Sequence, residues 1–407
     1  MSDNLQSHCH YLVQRYLLMT LDPLHIGTGG YRLGRVDLSI VREPGTRLPK
    51  IPGTSLAGAA RSYAAMRYGK IRCAGQGGAD QPHCGQPTCP ICYTFGYITK
   101  NKQGDEQNAH SGVVNVTDAH ILLFPVHSVA GPVWISTPQR LREAGFKNVQ
   151  PESVPDEQIY LSWNHPNRLN LGWLMLDVAP PATFTPPEVW KNDPHWTAVQ
   201  KRIVLVSDSL FSHIVNSNLE VRTSVSIDPR TGAAADKALF TYEALPRATW
   251  LWLDVVEDDY RRDFPTKEKL EKWEQDLKQN GDEAAKLLKR WLLWKESDAS
   301  KQKEEARKKA SQWVDDDLGR YRKAESLPST KQGWQKQHQN QQNTKQEDSR
   351  EGPIDVVRAG LELAEYLGIG GMGTRGFGRI RIVGNPIEIN PLEQTAAQND
   401  QKQEAAQ

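Results

Sequence analysis

The sequence lacks any run of apolar residues that approaches the roughly 20 needed to cross a lipid bilayer. Its start, MSDNLQSHCHYLVQRY, lacks the basic region, apolar middle and small-residue cleavage site of a signal peptide. Apolar residues make up 38% of the chain, and the mean hydropathy is −0.62. These features predict a cytoplasmic protein with no membrane partner.

The sequence also has almost no net charge, because 50 Lys and Arg residues stand against 49 Asp and Glu residues. This balance argues against a protein that coats nucleic acid over its whole surface. The charges are unevenly placed, however, since the first 72 residues hold ten Lys and Arg but only four acids. A local excess of +6 predicts an anion-binding face on an otherwise neutral protein.

Cysteine is scarce, but four of the five cysteines lie within residues 73–92. Cys73, Cys84, Cys89 and Cys92 have the spacing C-x10-C-x4-C-x2-C, and His83 is an alternative ligand. Four thiolates, or three thiolates and an imidazole, make a closed tetrahedral site of the kind that holds structural zinc. The alternative interpretation is a set of reduced thiols in a loop. Clustering in a cytosolic protein favours the metal site over disulfides.

The order of predicted elements favours an α+β fold with a ferredoxin-like (RRM-like) core. A strand at 11–21 and a short extended piece at 36–41 precede a helix that Thr54 or Ser55 would cap. Strands follow at 112–128, 169–178 and 202–208, then a long hairpin at 219–246 around the turn DPRTG, and the buried strand TWLWLDVV. An amphipathic helix, IDVVRAGLELAEYL, leads to a glycine-rich strand.

Composition divides the chain into four parts. Residues 1–256 form the core, with the cysteine insertion at 73–92 and the hairpin at 219–246. Residues 257–350 are rich in Lys, Glu and Gln and predict an inserted helical hairpin that is partly disordered. Its tryptophans form either a small core of its own or a docking surface. Residues 351–390 complete the core, and 391–407 form a disordered polar tail.

Two segments have the composition of anion-binding loops. The predicted helix start beside Lys50 offers free backbone N–H groups to a phosphate. Near the C-terminus, six glycines lie between Gly368 and Gly378, with Arg375 among them. Because this loop follows a helix and opens a strand, it is not a dinucleotide-binding fingerprint. A phosphodiester backbone lying on the loop fits better, although a mobile connection is the alternative.

Several blocks of the sequence resemble one family. The loop GGMGTRGFGRI is similar to the signature glycine-rich loop of the RAMP superfamily of CRISPR-associated proteins. The N-terminal blocks LDPLHIGTGG, LGRVDLSIVRE and LPKIPGTSLAGAARSYAA resemble the backbone subunits of type III-B (Cmr) effector complexes. The middle segment matches the same subunits at Asp118, Pro125, Val126, Ser128 and Pro138. The hairpin with IDPRTG and LFTYEALP resembles their protruding thumb.

The resemblance implies a protein that polymerises along a guide CRISPR RNA and cleaves complementary target RNA at regular intervals. The thumb would displace one nucleotide, and a single aspartate would support metal-dependent attack by the RNA 2′-OH. The family's aspartate falls at Asp37, within LGRVD, and a divalent cation (Mg²⁺ or Mn²⁺) is the expected cofactor. By itself, a lone aspartate in a loop is more often a turn or cap residue. A non-catalytic, architectural RNA-binding subunit is the alternative hypothesis.

The predicted partners are the guide RNA, the target RNA, copies of the chain in a helical filament, and other subunits of the complex. We predict that RNA contacts Arg42, Lys50, Ser55, Arg61, Gly370, Gly371, Arg375 and Gly376. His25 is either a general base or a residue that hydrogen-bonds the loop backbone. Asp118 is expected at a strand end rather than in catalysis.

Overall fold

The computed structural model describes residues 11–29, 36–75, 83–100, 106–165, 167–225, 227–233, 239–279, 299–326 and 352–389 of the 407-residue chain. The chain divides into two compact units, each made of segments that are distant in sequence. The first unit comprises residues 1–11, 60–115 and 257–360. The second comprises residues 12–59, 116–256 and 361–407. The cysteine segment and the insertion therefore belong to the same unit.

The described strands number seventeen. They are β1 (Tyr11–Thr20), β2 (Lys50–Ile51), β3 (Gly96–Lys100), β4 (Glu106–Ser111), β5 (Val114–Val116), β6 (Ala119–Ser128), β7 (Gly131–Ser136), β8 (Lys147–Gln150), β9 (Gln158–Leu161), β10 (Arg168–Leu171), β11 (Leu174–Val178), β12 (Thr183–Thr185), β13 (Ile203–Leu205), β14 (Glu220–Ser224), β15 (Phe240–Ala244), β16 (Trp250–Asp258) and β17 (Ile380–Ile389). Eleven of them form one sheet in the order β10-β11-β9-β13-β7-β6-β16-β1-β17, with β2 paired to β6 and β5 to β16.

The large sheet is mixed, since β9 and β11 run parallel, as do β7 and β13, whereas β6 pairs antiparallel with β7 and β16. Its central strands are buried because their sequences are nearly continuous apolar runs. In the second unit, Trp196 contacts both Phe146 and Trp250 within one large apolar cluster. The strands predicted from apolar runs at 11–21, 112–128 and TWLWLDVV are confirmed.

The described α-helices are α1 (Gly53–Arg67), α2 (Pro90–Phe95), α3 (Pro138–Glu143), α4 (Glu188–Lys191), α5 (Pro194–Val199), α6 (Asp208–Ser217), α7 (Lys267–Lys278), α8 (Ala299–Ser326) and α9 (Pro353–Leu367). Short 3₁₀ turns occupy Ile71–Cys73, Gln200–Arg202 and Gly373–Arg375. No helix in the described ranges is long and apolar enough to cross a membrane. The combination of a large mixed sheet with several helices confirms the predicted α+β class.

Helix α1 begins earlier than its sequence suggests. It starts at Gly53, so the prediction that Thr54 or Ser55 caps it is wrong. The carboxylate of Asp118, which directly precedes β6, accepts the Gly53 N–H at 2.8 Å instead. Only glycine fits at position 53, because a Cβ there would lie 2.2 Å from the carbonyl oxygen of Val116.

In the first unit, α7 and α8 pack side by side in the predicted inserted hairpin. Their shared apolar cluster consists of Leu270, Trp273, Ala306, Ala310, Val314 and Leu318. Trp273 is thus part of a small core within the insertion, and Trp313 packs against it. Residues 281–297 of the insertion, which include Trp291 and Trp294, lie outside the described residues, as does most of the polar segment that follows α8.

In the second unit, the N-terminal loops lie beside the hairpin. Strands β14 and β15 pair in antiparallel register from Glu220↔Ala244 to Ser224↔Phe240. Isolated bridges join Leu24 to Leu245 and Leu38 to Tyr242. The segment predicted as an extended piece at 36–41 therefore forms single bridges rather than a regular strand, since it exchanges partners along its length.

Candidate functional site

Asp37 is exposed and anchored to strand β15 of the hairpin. Its Oδ2 accepts hydrogen bonds from the Thr241 N–H at 2.7 Å and from the Thr241 hydroxyl at 2.9 Å. The Asp37 N–H in turn donates to the Thr241 hydroxyl. Among the residues that the structure describes, no side chain bonds Oδ1. The hydrogen bonds from Thr241 lower the pKa of Asp37, so the carboxylate stays ionised at neutral pH.

Three pieces of chain that are distant in sequence meet at this point. A small apolar cluster in the second unit contains Tyr242 and Ala244 of β15 and Phe377 of the glycine-rich loop. Leu38, the neighbour of Asp37, packs against it, as do Phe240 and Met372. The cluster holds the Asp37 segment, the hairpin base and the glycine-rich loop together.

The glycine-rich loop packs tightly on the chain around His25. The Gly371 N–H donates to the His25 carbonyl oxygen at 2.9 Å, and the Gly378 N–H donates to the Pro23 carbonyl oxygen at 3.0 Å. At Gly370, where φ is +79°, a Cβ would lie 2.5 Å from the His25 carbonyl oxygen. The close approach predicted from the glycines is thus made to the protein's own backbone at this position. Gly373 and Gly376 face open space and are exposed.

Arg375 lies on the exposed part of this loop, next to the hairpin. Its guanidinium donates to the Ser224 hydroxyl at 3.1 Å and stands 5.5 Å from the centre of the Phe240 ring. Phe240 directly precedes Thr241, the residue that binds Asp37. A cation and an ionised carboxylate therefore both attach to the same end of the described hairpin ladder.

Arg42 is half-buried, and its guanidinium is engaged by protein partners. Its guanidinium makes two hydrogen bonds to the carboxylate of Glu243, at 2.6 and 2.8 Å, and a third to Asn216. The buried Glu243 also accepts the Ile40 N–H at 3.0 Å. This ion pair fixes the strand-like segment that follows Asp37 against β15.

His25 is buried, and its Nδ1 lies 2.7 Å from the Glu243 carbonyl oxygen. Since a carbonyl only accepts hydrogen bonds, Nδ1 carries the proton in this arrangement. His25 thus bonds backbone with its ring and accepts the Gly371 N–H with its carbonyl. Both contacts are of the kind expected if His25 hydrogen-bonds the loop backbone and does not act as a general base.

Lys50 and Ser55 form a second group at the start of α1. The Lys50 ammonium lies 2.5 Å from Asp118, whose carboxylate also binds the Gly53 N–H. Burial disfavours ionisation of Asp118, but these two donors outweigh it and lower the pKa of the carboxyl group. A carboxylate therefore already occupies the helix start that was predicted to hold a phosphate. Ser55 lies in the first turn, half-buried.

Arg61 lies in the first unit, beside the cysteines. Its guanidinium donates to the carbonyl oxygens of Cys73 and Gly96 at 2.8 and 2.9 Å and contacts the His83 ring. His83 also bonds the Gly75 carbonyl oxygen. Both side chains are thus engaged in holding the cysteine segment together.

The four cysteine sulfurs form a compact cluster, with all Sγ atoms within 4.8 Å of one another. Three of the Sγ–Sγ distances are 3.6, 3.7 and 3.8 Å. Tetrahedral zinc with Zn–S bonds of about 2.3 Å requires sulfurs about 3.8 Å apart. Cys89 also caps α2 and accepts the Cys92 N–H, which orients two sulfurs toward the same point. The geometry fits four thiolate ligands, with His83 outside the cluster.

Two residues of the site escaped sequence reasoning. Thr241 binds Asp37, and Glu243 binds Arg42 and Ile40, yet both lie in the apolar-looking segment LFTYEALP. For Glu243 the available signal is an acid on the buried face of a predicted strand, because a buried carboxylate needs a cationic partner. No comparable signal marks Thr241.

Comparison with known proteins relates the chain to one superfamily. The family model described as "RAMPs: RAMP superfamily" matches residues 17–297, which is more than half of the chain. The chain is 27% identical over 260 residues to the CRISPR system Cmr endoribonuclease Cmr4 of Pyrococcus furiosus, covering 59% of this chain and 78% of that protein. It is 47% identical over 53 residues to the CRISPR system Cms endoribonuclease Csm3 of Enterococcus italicus, covering 12% of this chain and 25% of that one.

A chain of the type III-B Cmr-beta complex bound to cognate target RNA superposes with a TM-score of 0.45 at 14% identity, covering 62% of this chain and 85% of that one. Oligomeric Cmr4 from Pyrococcus furiosus gives a TM-score of 0.39 at 19% identity, covering 61% and 82%.

Proposed function

The chain belongs to the RAMP superfamily, and from this premise we propose that it is a backbone subunit of a type III-B CRISPR effector complex that cleaves target RNA. The relative from Pyrococcus furiosus is named as a Cmr endoribonuclease, which supports the assignment. The observation that carries it is the convergence of the Asp37 segment, the glycine-rich loop and the hairpin on one apolar cluster. These are three of the segments through which the sequence resembles the family.

In this proposal each segment has a separate task. The exposed part of the glycine-rich loop, with Arg375 and Gly376, contacts the phosphates of the guide RNA, and β14–β15 is the thumb that enters the guide–target duplex. The second unit contains the ferredoxin-like core. Copies of the chain stack along the guide, and other subunits of the complex complete the assembly in the cytoplasm.

Asp37 acts on the target RNA. The RNA 2′-OH gives its proton to solvent as its oxygen attacks the adjacent phosphorus. The bond from phosphorus to the 5′-oxygen breaks and that oxygen takes a proton from solvent, so the products carry a 2′,3′-cyclic phosphate and a 5′-hydroxyl. A carboxylate with a lowered pKa is a weak proton acceptor, so holding a divalent cation suits Asp37 better than general-base catalysis. Mg²⁺ is commonly held by one or two carboxylates together with substrate phosphates, and the exposed Oδ1 fits that role. Bound there, the cation would neutralise charge that develops on the phosphate.

The four cysteines hold a structural zinc ion in this proposal. A site closed by four thiolates leaves no position for substrate, so the metal stabilises the first unit and takes no part in cleavage. The sulfur spacing is the feature that supports it.

A second candidate is an architectural subunit that binds guide RNA without cutting. The contact that favours it is the pair of hydrogen bonds from Thr241 to Asp37, which would fasten the loop to the hairpin in a purely structural role. In that case the carboxylate matters only as an acceptor.

Replacing Asp37 with Asn separates the two candidates, because the amide oxygen still accepts both bonds from Thr241 but binds a cation poorly. We expect the Asp37→Asn complex to assemble and bind target RNA normally while cleavage of labelled RNA falls by about 100-fold or more. Asp156→Asn is the matched control, since Asp156 is also exposed and bonded by serine hydroxyls, and its complex should cut normally. Cleavage at the wild-type rate by the Asp37→Asn complex would exclude a catalytic role for Asp37 and favour the architectural subunit.

A further inference from the structure

A cleft in the second unit is lined by residues that belong neither to the predicted site nor to the sequence blocks that carry the family resemblance. Its walls come from two chain segments, one after β9 and one at the end of β11. The lining residues are Trp163, Asn164, His165, Val178, Ala179 and Pro181. Its volume is about 380 Å³, toward the lower end of the roughly 300–1,000 Å³ typical of small-ligand sites.

The frame of the cleft is fixed by backbone hydrogen bonds. The Val178 N–H donates to the Asn167 carbonyl oxygen at 2.8 Å, and the Ala179 N–H donates to the Ile159 carbonyl oxygen at 2.9 Å. On the other segment, the Ser162 N–H donates to the Ile203 carbonyl oxygen at 2.9 Å. These three N–H groups are already used within the fold, and polar contacts to a ligand can come from the side chains of the lining.

Three adjacent side chains retain that capacity. Within the described residues, no hydrogen bond engages the indole N–H of Trp163, the amide of Asn164 or the ring of His165. Trp163 and His165 are half-buried, and Asn164 is exposed. Folding places three polar and aromatic side chains in one concavity without giving them partners, and this is the pattern of a binding surface.

The chemistry of the lining restricts the ligand. It contains no Lys, Arg, Asp or Glu, so it does not suit a phosphate or a cation. A wholly aliphatic ligand would leave the Asn164 amide and the indole N–H without hydrogen bonds. A nucleobase satisfies both requirements, because its face stacks on an indole ring and its edge offers the donor and acceptor that an amide pairs with.

We propose that this cleft holds one unpaired nucleobase of a bound RNA strand, stacked on Trp163 and hydrogen-bonded by Asn164. The volume admits one base and excludes a duplex. This inference rests on the proposed RNA-binding function, but it concerns a surface separate from Asp37 and from the glycine-rich loop.

The test is photo-crosslinking of the full-length chain to single-stranded RNA that contains 4-thiouridine, followed by peptide mapping. We expect a crosslink within residues 158–181. Trp163→Ala should abolish that crosslink and weaken RNA binding by about tenfold, the scale of one base–aromatic stack. Trp163→Phe retains an aromatic face and should keep most of both signals. Trp173→Ala is the matched control, because Trp173 is 77% exposed and lies outside the cleft.

The outcomes separate this inference from the proposed function. If the wild-type chain binds RNA but crosslinks only elsewhere, the cleft is not a base site and the proposed function stands. If the wild-type chain binds no RNA, both are overturned. Should Trp163→Ala fail to fold, as judged by circular dichroism, Asn164→Ala provides the same comparison. Unchanged crosslinking and affinity in a folded Asn164→Ala chain would then refute the hydrogen bond proposed here.

Discussion

Thr241 stabilises the ionised form of Asp37 through two hydrogen bonds to one carboxylate oxygen. Both donors favour the charged form, which is why the pKa of Asp37 is lowered from its ordinary value of 3.8. A group with a lowered pKa is ionised at every pH above that value. Its contribution to stability is likewise present at neutral pH and is lost only as the pH falls through the lowered pKa.

The pH dependence of cleavage should reflect this. Because Asp37 stays ionised, we expect no acid-side loss of rate due to Asp37 between about pH 5 and 8. The measurement is the single-turnover cleavage rate of the assembled complex across that range. Thr241→Val, which removes the hydroxyl donor to Asp37 but keeps the backbone N–H donor, is measured over the same pH range. An acid limb centred above about pH 5 that disappears in Asp37→Asn would contradict this account.

The cations of the predicted RNA-binding set have different environments. Arg42 is paired with the buried Glu243, Lys50 with Asp118, and Arg61 with carbonyl groups of the cysteine segment. Arg375 is exposed, and its contacts are one hydroxyl and one aromatic ring. A phosphate approaching Arg375 meets no competing carboxylate within the described contacts, so we expect Arg375 to be the strongest phosphate ligand of the set.

At the scale of elements, the glycine-rich loop contains two kinds of glycine. Gly370 adopts a left-handed backbone against His25, whereas Gly373 faces open space. The first kind sets the shape of the loop, and the second leaves its surface open to a ligand.

Alanine at these two positions should therefore behave differently. We expect Gly370→Ala to destabilise the protein by about 1–3 kcal/mol, because the new Cβ would clash with a carbonyl oxygen in a strained conformation. Gly373→Ala should change the free energy of unfolding by no more than about 0.5 kcal/mol. Chemical denaturation of both variants measures this difference. Equal stabilities would show that the loop does not depend on its contact with His25.

The elements differ in how far the sequence predicts them. Strands β1, β6 and β16 are predictable because their apolar runs are long and local in sequence. The start of α1 is not, since its partner Asp118 lies far along the chain and no pattern within residues 50–56 reveals it. The residues of the candidate site likewise differ in how far the sequence predicts them. Asp37 and the glycine-rich loop are found through their resemblance to a family, whereas Thr241 and Glu243 emerge only when β15 is placed beside residues 38–42.

At the scale of the molecule, the first unit brings two inserted segments together. A buried ion pair joins Lys70, close to the cysteines in sequence, to Asp317 of α8 at 2.5 Å. A zinc ion bound by four thiolates has a net negative charge, so cations such as the buried Lys70 and the half-buried Arg61 are favourable near it. The metal centre and the helical insertion should therefore depend on each other.

Zinc content tests this dependence. We expect one zinc ion per chain by elemental analysis, and a clear fall in melting temperature for Cys89→Ser, since structural zinc contributes directly to folding. Cys9→Ser is the control, because Cys9 is the one cysteine that does not belong to the C-x10-C-x4-C-x2-C pattern. The fraction of Cys89→Ser complex that assembles correctly should cleave RNA at the wild-type rate. A metal-replete preparation without zinc would end the proposal.

Affinity for RNA should depend on local charge and not on the net charge of +1. Each phosphate neutralised releases counterions, so the logarithm of the binding constant falls with the logarithm of salt concentration by about 0.7 per contact on a single strand. We expect strong salt dependence without sequence preference for the wild-type chain. Arg375→Ala should remove about one phosphate contact and reduce the slope accordingly. Arg42→Ala should lower stability but leave the slope unchanged, because Arg42 is already neutralised by Glu243. Affinity that ignores ionic strength would place recognition in base contacts instead of phosphates.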